Sequence, residues 1–265
     1  MYFFSSNVFK RRGNKVEVMY ILLFFLFGTV FGSFFNVVGI RVPKKIPFHN
    51  DRSYCPECQT QLKFYELIPV VSFLLQQGKC RTCETRISPV YPLIEFATGF
   101  FYAFSYIHIG LQRELIVAII FISLLMIITV SDLYYMLIPD KILLFFLPII
   151  ILLRILSPLD PWYDMFIGAA VGYVLLAVII IVSKGGMGAG DMKLFGVIGF
   201  VLGWKNVLLT FFFAALFGAI VGGILMLTKK IKRGQPIPFG PFIVLAALLT
   251  YFYGQTILDW YVSLL

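Results

Sequence analysis

The chain carries a series of long apolar stretches separated by short polar segments, and this pattern limits the folds open to it. A helix needs about 20 mainly apolar residues to cross the hydrocarbon core of a bilayer. Eight stretches are candidates for such spans, over residues 18–40, 91–109, 115–131, 141–156, 165–183, 194–204, 206–228 and 239–258. The sequence therefore predicts an all-α polytopic membrane protein with about eight transmembrane helices, of which the sixth is short for an untilted crossing.

The composition supports this fold class and excludes several others. Hydrophobic side chains make up 60% of the 265 residues and charged ones only 13%, whereas a soluble domain carries about 25% charged residues. This excludes a soluble cytosolic enzyme, a disordered protein and a nucleic-acid-binding domain. In so apolar a chain, the net charge of +9 points to basic cytoplasmic loops rather than to a nucleic-acid partner.

The distribution of basic residues predicts the orientation in the membrane. The segment between the first two spans holds eight of them, Arg41, Lys44, Lys45, Arg52, Lys63, Lys79, Arg81 and Arg86, and that between the seventh and eighth holds four. Because cytoplasmic loops are enriched in Lys and Arg, these loops are expected on the cytoplasmic side, with the N-terminus outside. Basic residues at positions 10–12 and 15 favour the opposite orientation. Either Met19 is the biological start, or the larger basic loop overrules this tail.

Four parts follow from this pattern. Residues 1–17 form an N-terminal tail, 18–40 the first transmembrane helix, 41–90 a cytoplasmic loop, and 91–265 a transmembrane core.

All four cysteines of the chain lie in the cytoplasmic loop, as Cys55-Pro-Glu-Cys58 and Cys80-Arg-Thr-Cys83. Two Cys-x-x-Cys turns at this separation are typical of a tetrahedral four-thiolate zinc site. A loop of this length has too small a core to fold alone, so a metal would stabilise it. With four protein ligands, such a zinc would be structural. The alternatives are two disulfides, which the predicted cytoplasmic side disfavours, or four unpaired thiols.

Acidic residues at the ends of spans are candidate functional groups because they are costly in a membrane. Asp132 ends the third span, and Asp191 follows the glycines of Gly185-Gly-Met-Gly-Ala-Gly-Asp191 at the start of the sixth. The predicted topology puts both on the same membrane face. Two adjacent carboxylates would share a proton and act as general base and general acid in peptide hydrolysis. Alternatively, Asp191 and Asp140 are helix N-caps and Asp132 is an interfacial residue.

Several of these motifs together resemble one family. Gly188-Ala-Gly-Asp191 resembles the Gly-x-Gly-Asp signature of intramembrane aspartyl proteases. The four-cysteine loop, Asp132 with Ile138-Pro-Asp140, and Ile237-Pro-Phe-Gly-Pro-Phe242 look like bacterial type IV prepilin peptidases (leader peptidases/N-methyltransferases). Gly32-Ser-Phe-Phe-Asn36 with Arg41 and Tyr91-Pro-Leu-Ile-Glu95 also fit that family. The similarity covers nearly the whole chain from residue 18 onward.

The resemblance implies a function and a set of roles. Asp132 and Asp191 would be the catalytic pair at the cytoplasmic face of the cell membrane. Supporting roles would fall to Asp140, Gly188, Gly190, Lys193 and Glu95. Glu95 would pair with a basic residue or help to bind the new amine of the pilin, and the alternative is a structural acid. The substrates would be prepilins or pseudopilins of a type IV pilus, type II secretion or competence system, cut after the glycine that ends a basic leader. The four-cysteine loop is associated with N-methylation of the new N-terminal residue, with S-adenosylmethionine as donor.

Two other hypotheses compete with this one. The chain could be chiefly a methyltransferase, although it contains no glycine-rich Rossmann fingerprint. It could also be a membrane transporter with a regulatory zinc loop. A transporter is expected to carry its acids near the bilayer midplane, beside broken helices, and here they lie at helix ends.

Overall fold

The computed structural model describes residues 15–46, 53–184, 186–230, 232, 235 and 237–264. Its described part consists of helices and connecting loops, with two isolated β-bridges. The α-helices are α1 (Lys15–Arg41), α2 (Val71–Leu75), α3 (Val90–Ile109), α4 (Arg113–Tyr135), α5 (Asp140–Leu156), α6 (Asp164–Val182), α7 (Ala189–Leu227) and α8 (Gly240–Ser263). A 3-10 turn, Phe64–Leu67, precedes α2. The N-terminal tail up to residue 14 lies outside the described residues.

The predicted all-α membrane fold is confirmed. In the described part of the chain, five helices are long and apolar enough to cross a membrane, namely α1, α4, α6, α7 and α8. Helices α3 and α5 coincide with the second and fourth predicted spans. The sixth and seventh predicted spans both fall within α7, and the count of eight crossings stays a prediction.

The chain divides into two compact units, Met1–Val130 and Ser131–Leu265. In the first unit, α1 packs closely on α3. A Cβ added at Gly28 would lie 2.7 Å from the Gly99 Cα, and one at Gly32 would lie 2.7 Å from the Glu95 Cα. The Asn36 side chain donates a hydrogen bond of 3.1 Å to the Tyr91 carbonyl. Small residues let two membrane helices approach to backbone contact, and the amide adds a polar link between them.

In the second unit, α7 reverses direction at Gly203. This residue has φ 77° and ψ 174°, which interrupts the helical backbone. The rings of Phe195 and Phe211 lie 6.1 Å apart, whereas 16 residues of straight helix would separate them by about 24 Å. We call the two parts α7a (residues 189–202) and α7b (residues 204–227). They form a helical hairpin, which explains why the sequence pattern predicts two spans here.

Two charged residues from neighbouring helices bind the backbone groups that the turn exposes. Arg154 of α5, 2% exposed, donates from Nη2 to the Val201 carbonyl at 2.7 Å. Asp164 of α6 accepts the Trp204 amide at 3.4 Å. The last carbonyls of α7a and the first amides of α7b have no intrahelical partner. The cation and the anion therefore match the dipoles of the two helix ends.

We predict that Gly203→Ala destabilises the protein by roughly 2 kcal/mol or more, because a non-glycine residue is strained at this φ. The added Cβ would also collide with the Asp164 carboxylate. Thermal unfolding in detergent measures the effect. Gly223→Ala is the matched control, since a Cβ there meets nothing within 4 Å. Equal melting temperatures for the two variants would contradict the assigned turn.

Candidate active site and candidate metal centre

Asp132 lies in the last turn of α4 and is 5% exposed. Its Oδ2 accepts a hydrogen bond of 2.7 Å from the Gly240 amide at the start of α8. A Cβ on residue 240 would lie 2.7 Å from the same oxygen, so only glycine lets the α8 backbone come this close. Gly240 belongs to the Phe239-Gly-Pro-Phe242 motif, but nothing in its spacing predicts a bond to a residue 108 positions earlier.

Asp191 lies in the first turn of α7a and is 8% exposed. Its Oδ2 accepts the Gly188 amide at 3.2 Å. Gly188, rather than Asp191, is the N-cap of the helix. Gly190 packs against Ile138, because a Cβ added to Gly190 would lie only 2.9 Å from the Ile138 Cβ. The glycine loop thus lets the segment before α5 approach the start of α7a.

The second unit brings the two predicted catalytic acids together. Asp132 and Asp191 lie close enough for their charges to interact. In each carboxylate, Oδ2 accepts a hydrogen bond from a backbone amide. This leaves Oδ1 of both carboxylates to bind a proton or a water. Two interacting carboxylates titrate as a pair, so that one can be ionised and act as a base while the other is protonated and acts as an acid. This arrangement suits hydrolysis of a peptide bond.

Asp140 and Lys193 form an ion pair between the first turns of α5 and α7a. Lys193 Nζ lies 2.8 Å from both Oδ1 and Oδ2 of Asp140. Asp140 begins α5, with Pro139 as the N-cap, so the predicted N-cap role of Asp140 is wrong by one position. The Lys193 side chain is 44% exposed and the Asp140 side chain is 59% exposed. A pair this accessible adds little stability and remains available to a ligand.

Glu95 lies in the first unit, on α3, and is 8% exposed. Its Oε2 accepts the Val70 amide at 2.7 Å, and the Ser33 side chain also bonds to it. Val70 has φ 62°, an unusual conformation for a β-branched residue. Glu95 therefore fixes the cysteine-containing loop to α3.

The four cysteines converge on one point. Their sulfur atoms all lie within 4.8 Å of one another, with Cys55 and Cys83 at 3.7 Å and Cys58 and Cys80 at 4.0 Å. A tetrahedral ion with Zn–S bonds of about 2.3 Å requires sulfur separations of about 3.8 Å. All four cysteines are free, so the disulfide alternative finds no support. The cluster is positioned to bind a metal ion, as the spacing predicts.

The two Cys-x-x-Cys turns have the same local structure. In the first turn, the Cys55 amide donates a hydrogen bond of 3.0 Å to the Thr60 carbonyl. In the second turn, the Cys80 amide donates a hydrogen bond of 2.9 Å to the Thr85 carbonyl. Each turn ends in a residue with φ 57°, Gln59 or Glu84. The shared pattern Cys-x-x-Cys-x-Thr is visible in the sequence, and sequence reasoning missed it.

Hydrogen bonds and burial set different thiol acidities within the cluster. Hydrogen bonds from the side chain and backbone of Thr85 lower the pKa of the Cys83 thiol to about 6. Hydrogen bonds from Thr60 likewise lower the pKa of the Cys58 thiol. A hydrogen bond from the Cys58 backbone amide favours the Cys55 thiolate. Burial and the nearby sulfur atoms outweigh this effect and raise the pKa of the Cys55 thiol to about 11. A cation would lower all of these values, because only thiolates bind metal.

Comparison with known proteins agrees with this architecture. Residues 26–109 match the bacterial peptidase A24 N-terminal domain, and residues 119–223 match the type IV leader peptidase family. The chain is 46% identical over 242 residues to the prepilin leader peptidase/N-methyltransferase of Bacillus subtilis, covering 91% of this chain and 98% of the relative. The chain belongs to the type IV leader peptidase family.

More distant members of the family are similar over the same length. The prepilin leader peptidase/N-methyltransferase of Aeromonas salmonicida is 32% identical, covering 92% of this chain and 94% of the relative. The prepilin leader peptidase/N-methyltransferase of Pseudomonas aeruginosa is 29% identical, also covering 92% of this chain and 94% of the relative. No solved structure matches the chain. The matches support a multi-pass membrane peptidase and give no support to the transporter hypothesis.

Proposed function

We propose that this family member is a membrane-embedded aspartic endopeptidase that removes the basic leader of prepilins or pseudopilins. The observation that carries the proposal is the 46% identity to a prepilin leader peptidase/N-methyltransferase across almost the full length of both chains. The buried, adjacent carboxylates of Asp132 and Asp191 supply the chemistry that such a peptidase needs. The substrates belong to a type IV pilus, type II secretion or competence system.

In the proposed mechanism the two aspartates act on one water and one peptide bond. The ionised carboxylate takes a proton from water, which attacks the carbonyl carbon of the glycine that ends the leader. The protonated carboxylate donates its proton to the carbonyl oxygen, which gives a tetrahedral diol. The carboxylate that took the proton from water then passes it to the amide nitrogen, the C–N bond breaks, and the other carboxylate takes a hydroxyl proton back as the new carboxyl group forms. The amides of Gly240 and Gly188 bind the two Oδ2 atoms, so the proposal assigns the proton transfers to the two Oδ1 atoms.

The supporting residues shape the surroundings of this pair. Gly188 keeps the approach to Asp191 free of a side chain, so an extended substrate backbone fits beside it. Gly190 supports the site by letting Ile138 pack against the start of α7a. Asp140 and Lys193 link the first turns of α5 and α7a, the helix that carries Asp191. Glu95 holds the cysteine-containing loop to α3 through the Val70 amide.

The four-cysteine cluster is proposed to hold one structural zinc ion. The sulfur separations of 3.7 and 4.0 Å fit a tetrahedral thiolate site. When bound, zinc supplies stability to a loop with little core of its own, and Cys55, Cys58, Cys80 and Cys83 would hold it. No step of the hydrolysis depends on this ion.

The names of the relatives also support a second activity, N-methylation of the amine that cleavage exposes, with S-adenosylmethionine as methyl donor. The basic loops between predicted spans favour a site at the cytoplasmic face of the cell membrane. There, lysines and arginines contact anionic lipid head groups, and no nucleic acid is involved.

Co-expression with a candidate prepilin, followed by intact-mass measurement of the pilin, tests the proposal. We expect loss of the leader, and with S-adenosylmethionine present a further mass increase of one methylene unit. A prepilin whose last leader residue is changed from glycine to valine is the control and should stay uncut. A transporter would leave both pilins unprocessed, and a chain that is only a methyltransferase would never release the leader.

A second test concerns the contact between Gly240 and Asp132. We predict that Gly240→Ala lowers the cleavage rate by about 10²-fold, because the added methyl group would displace the carboxylate that lies 2.7 Å from it. Gly223→Ala is again a suitable control. An unchanged rate in the Gly240→Ala variant would argue against Asp132 as a catalytic acid.

A further inference from the structure

One segment of the cysteine-containing loop turns its apolar side chains outward and its acid inward. Residues 64–75 form the 3-10 turn, α2 and the link between them, and the turn contacts α2. Glu66 is the one charged residue of this segment, and its side chain is only 10% exposed. Six large apolar residues are each 40–83% exposed instead, and we call them the apolar patch: Phe64, Leu67, Ile68, Val71, Leu74 and Leu75.

Such a patch needs a partner, because a loop that faces water exposes its charges and hides its large apolar side chains. Exposed apolar surface of this extent marks a contact with another protein or with a membrane. The position of the segment within the first unit and the charges beside it distinguish these two partners.

The position of the segment beside α1 favours the membrane. The Val70 amide, in the middle of the segment, donates a hydrogen bond of 2.7 Å to the Glu95 carboxylate of α3, and the side chain of Ser33 on α1 bonds to the same carboxylate. Val70 therefore lies close to the level of Ser33 along α1.

At this level α1 is still part of an apolar stretch. The helix is long and apolar enough to cross a membrane, and it carries no charge from residue 18 to residue 40. Ser33 lies seven residues before the end of that stretch, about 10 Å at 1.5 Å per residue. The loop thus returns to a depth at which lipid surrounds α1.

Basic side chains lie beside the segment, as expected at the surface of an anionic bilayer. The Lys63 Nζ lies 5.9 Å from the centre of the Tyr65 ring, and the Arg81 guanidinium lies 5.0 Å from the centre of the same ring. Both basic residues are exposed. Apolar side chains next to a tyrosine and to basic residues are typical of the interface between hydrocarbon and head groups.

We propose that residues 64–75 insert into the bilayer, with the apolar patch among the acyl chains and with Lys63 and Arg81 at anionic head groups. The loop then has a membrane contact of its own between its two cysteine pairs. Glu95 holds this contact at its depth through the Val70 amide. The second cysteine pair begins five residues after Leu75, so the insertion keeps the metal centre close to the membrane surface.

Photocrosslinking of the full-length protein identifies what covers the patch. The photoreactive amino acid p-benzoylphenylalanine replaces Leu74, the protein is reconstituted in vesicles of phosphatidylcholine and phosphatidylglycerol in equal amounts, and its intact mass is measured after illumination. We expect a mass increase of one lipid. The yield should be at least about 10-fold higher than at a water-facing position, because an apolar side chain favours hydrocarbon over water.

Glu57 is the matched control, since it is exposed on the first Cys-x-x-Cys turn and a charged residue stays in water. Phe64 is a second labelling position, which should also give the lipid adduct, and thermal unfolding in detergent checks the fold of each variant. Equal lipid yields at positions 57, 64 and 74 would overturn the inference. A crosslink to a second copy of the chain, or to a prepilin added to the vesicles, would also overturn it, because that protein would then cover the patch.

The head-group contact is tested by the double variant Lys63→Gln with Arg81→Gln. With both basic residues present, we expect adducts of phosphatidylglycerol to exceed those of phosphatidylcholine by about 5-fold, since each basic residue near the surface attracts anionic lipid. The ratio should fall toward one in the double variant. A ratio that is the same with and without the two basic residues would overturn their assignment to anionic head groups.

Discussion

Replacing either Asp132 or Asp191 by asparagine is expected to lower prepilin cleavage by about 10³-fold or more, because each carboxylate serves as acid or base in the proposed reaction. Asparagine keeps the size of the side chain and an oxygen that can accept the Gly240 or Gly188 amide. The folded structure should therefore survive while proton transfer is lost. The rate is measured on purified protein by release of the leader, and thermal unfolding checks the fold.

Asp259→Asn is the matched control for this pair. Asp259 lies on α8 and accepts a hydrogen bond from Gln255. It is 19 residues from Gly240, which is about 28 Å along the helix. Its replacement should leave the rate unchanged. Cleavage at the wild-type rate by both catalytic-pair variants would mean that the acids stabilise helix ends and that hydrolysis occurs elsewhere.

Removing one thiolate from the cysteine cluster is expected to abolish metal binding. We predict that Cys83→Ser lowers the zinc content from about one ion per chain to near zero, since structural sites use four protein ligands. Apparent binding free energies of structural zinc are about 10 kcal/mol or more, so the loop should open. Elemental analysis measures the metal, and trypsin detects the opening through faster cutting after Lys79, Arg81 and Arg86.

A histidine at the same position provides the control. Cys83 is exposed, so the larger ring has room, and imidazole is a zinc ligand. Cys83→His should retain most of the metal and the protease resistance. A full zinc content in Cys83→Ser, or wild-type protein that stays metal-free when supplied with zinc, would contradict the assigned centre.

Local spacing was sufficient to predict the metal cluster. The two residues between the cysteines of each pair fix a tight turn, so the geometry depends on neighbours in sequence. The helices were equally predictable because each must satisfy its own backbone hydrogen bonds in the membrane. For Asp132 and Asp191, the predicted topology suggests a catalytic pair but leaves the helix-end alternative open, and the family resemblance favours the catalytic roles.

Contacts between distant positions could not be derived from the sequence. The Gly240 amide reaches Asp132 only because α8 begins where α4 ends in space, and no periodicity encodes that encounter. The partner of Asp140 is Lys193, 53 residues later. The hairpin at Gly203 is an intermediate case. The break between two apolar stretches predicts it, but its two caps, Arg154 and Asp164, come from other helices.

The short first arm of the α7 hairpin has a consequence for the surrounding lipid. Aromatic and charged side chains gather at the turn, where Lys205 stacks over the Trp204 ring, and such residues mark the boundary of a bilayer. Asp191 is 12 residues before Gly203, about 18 Å away, whereas the hydrocarbon layer is about 30 Å thick. If α7a is a separate crossing, as the span count predicts, lipids beside this arm would have to compress to meet it, or water would fill the difference. Bilayer elasticity would then act on the depth of Asp191, and acyl-chain length would be one of the variables that set where this acid meets water.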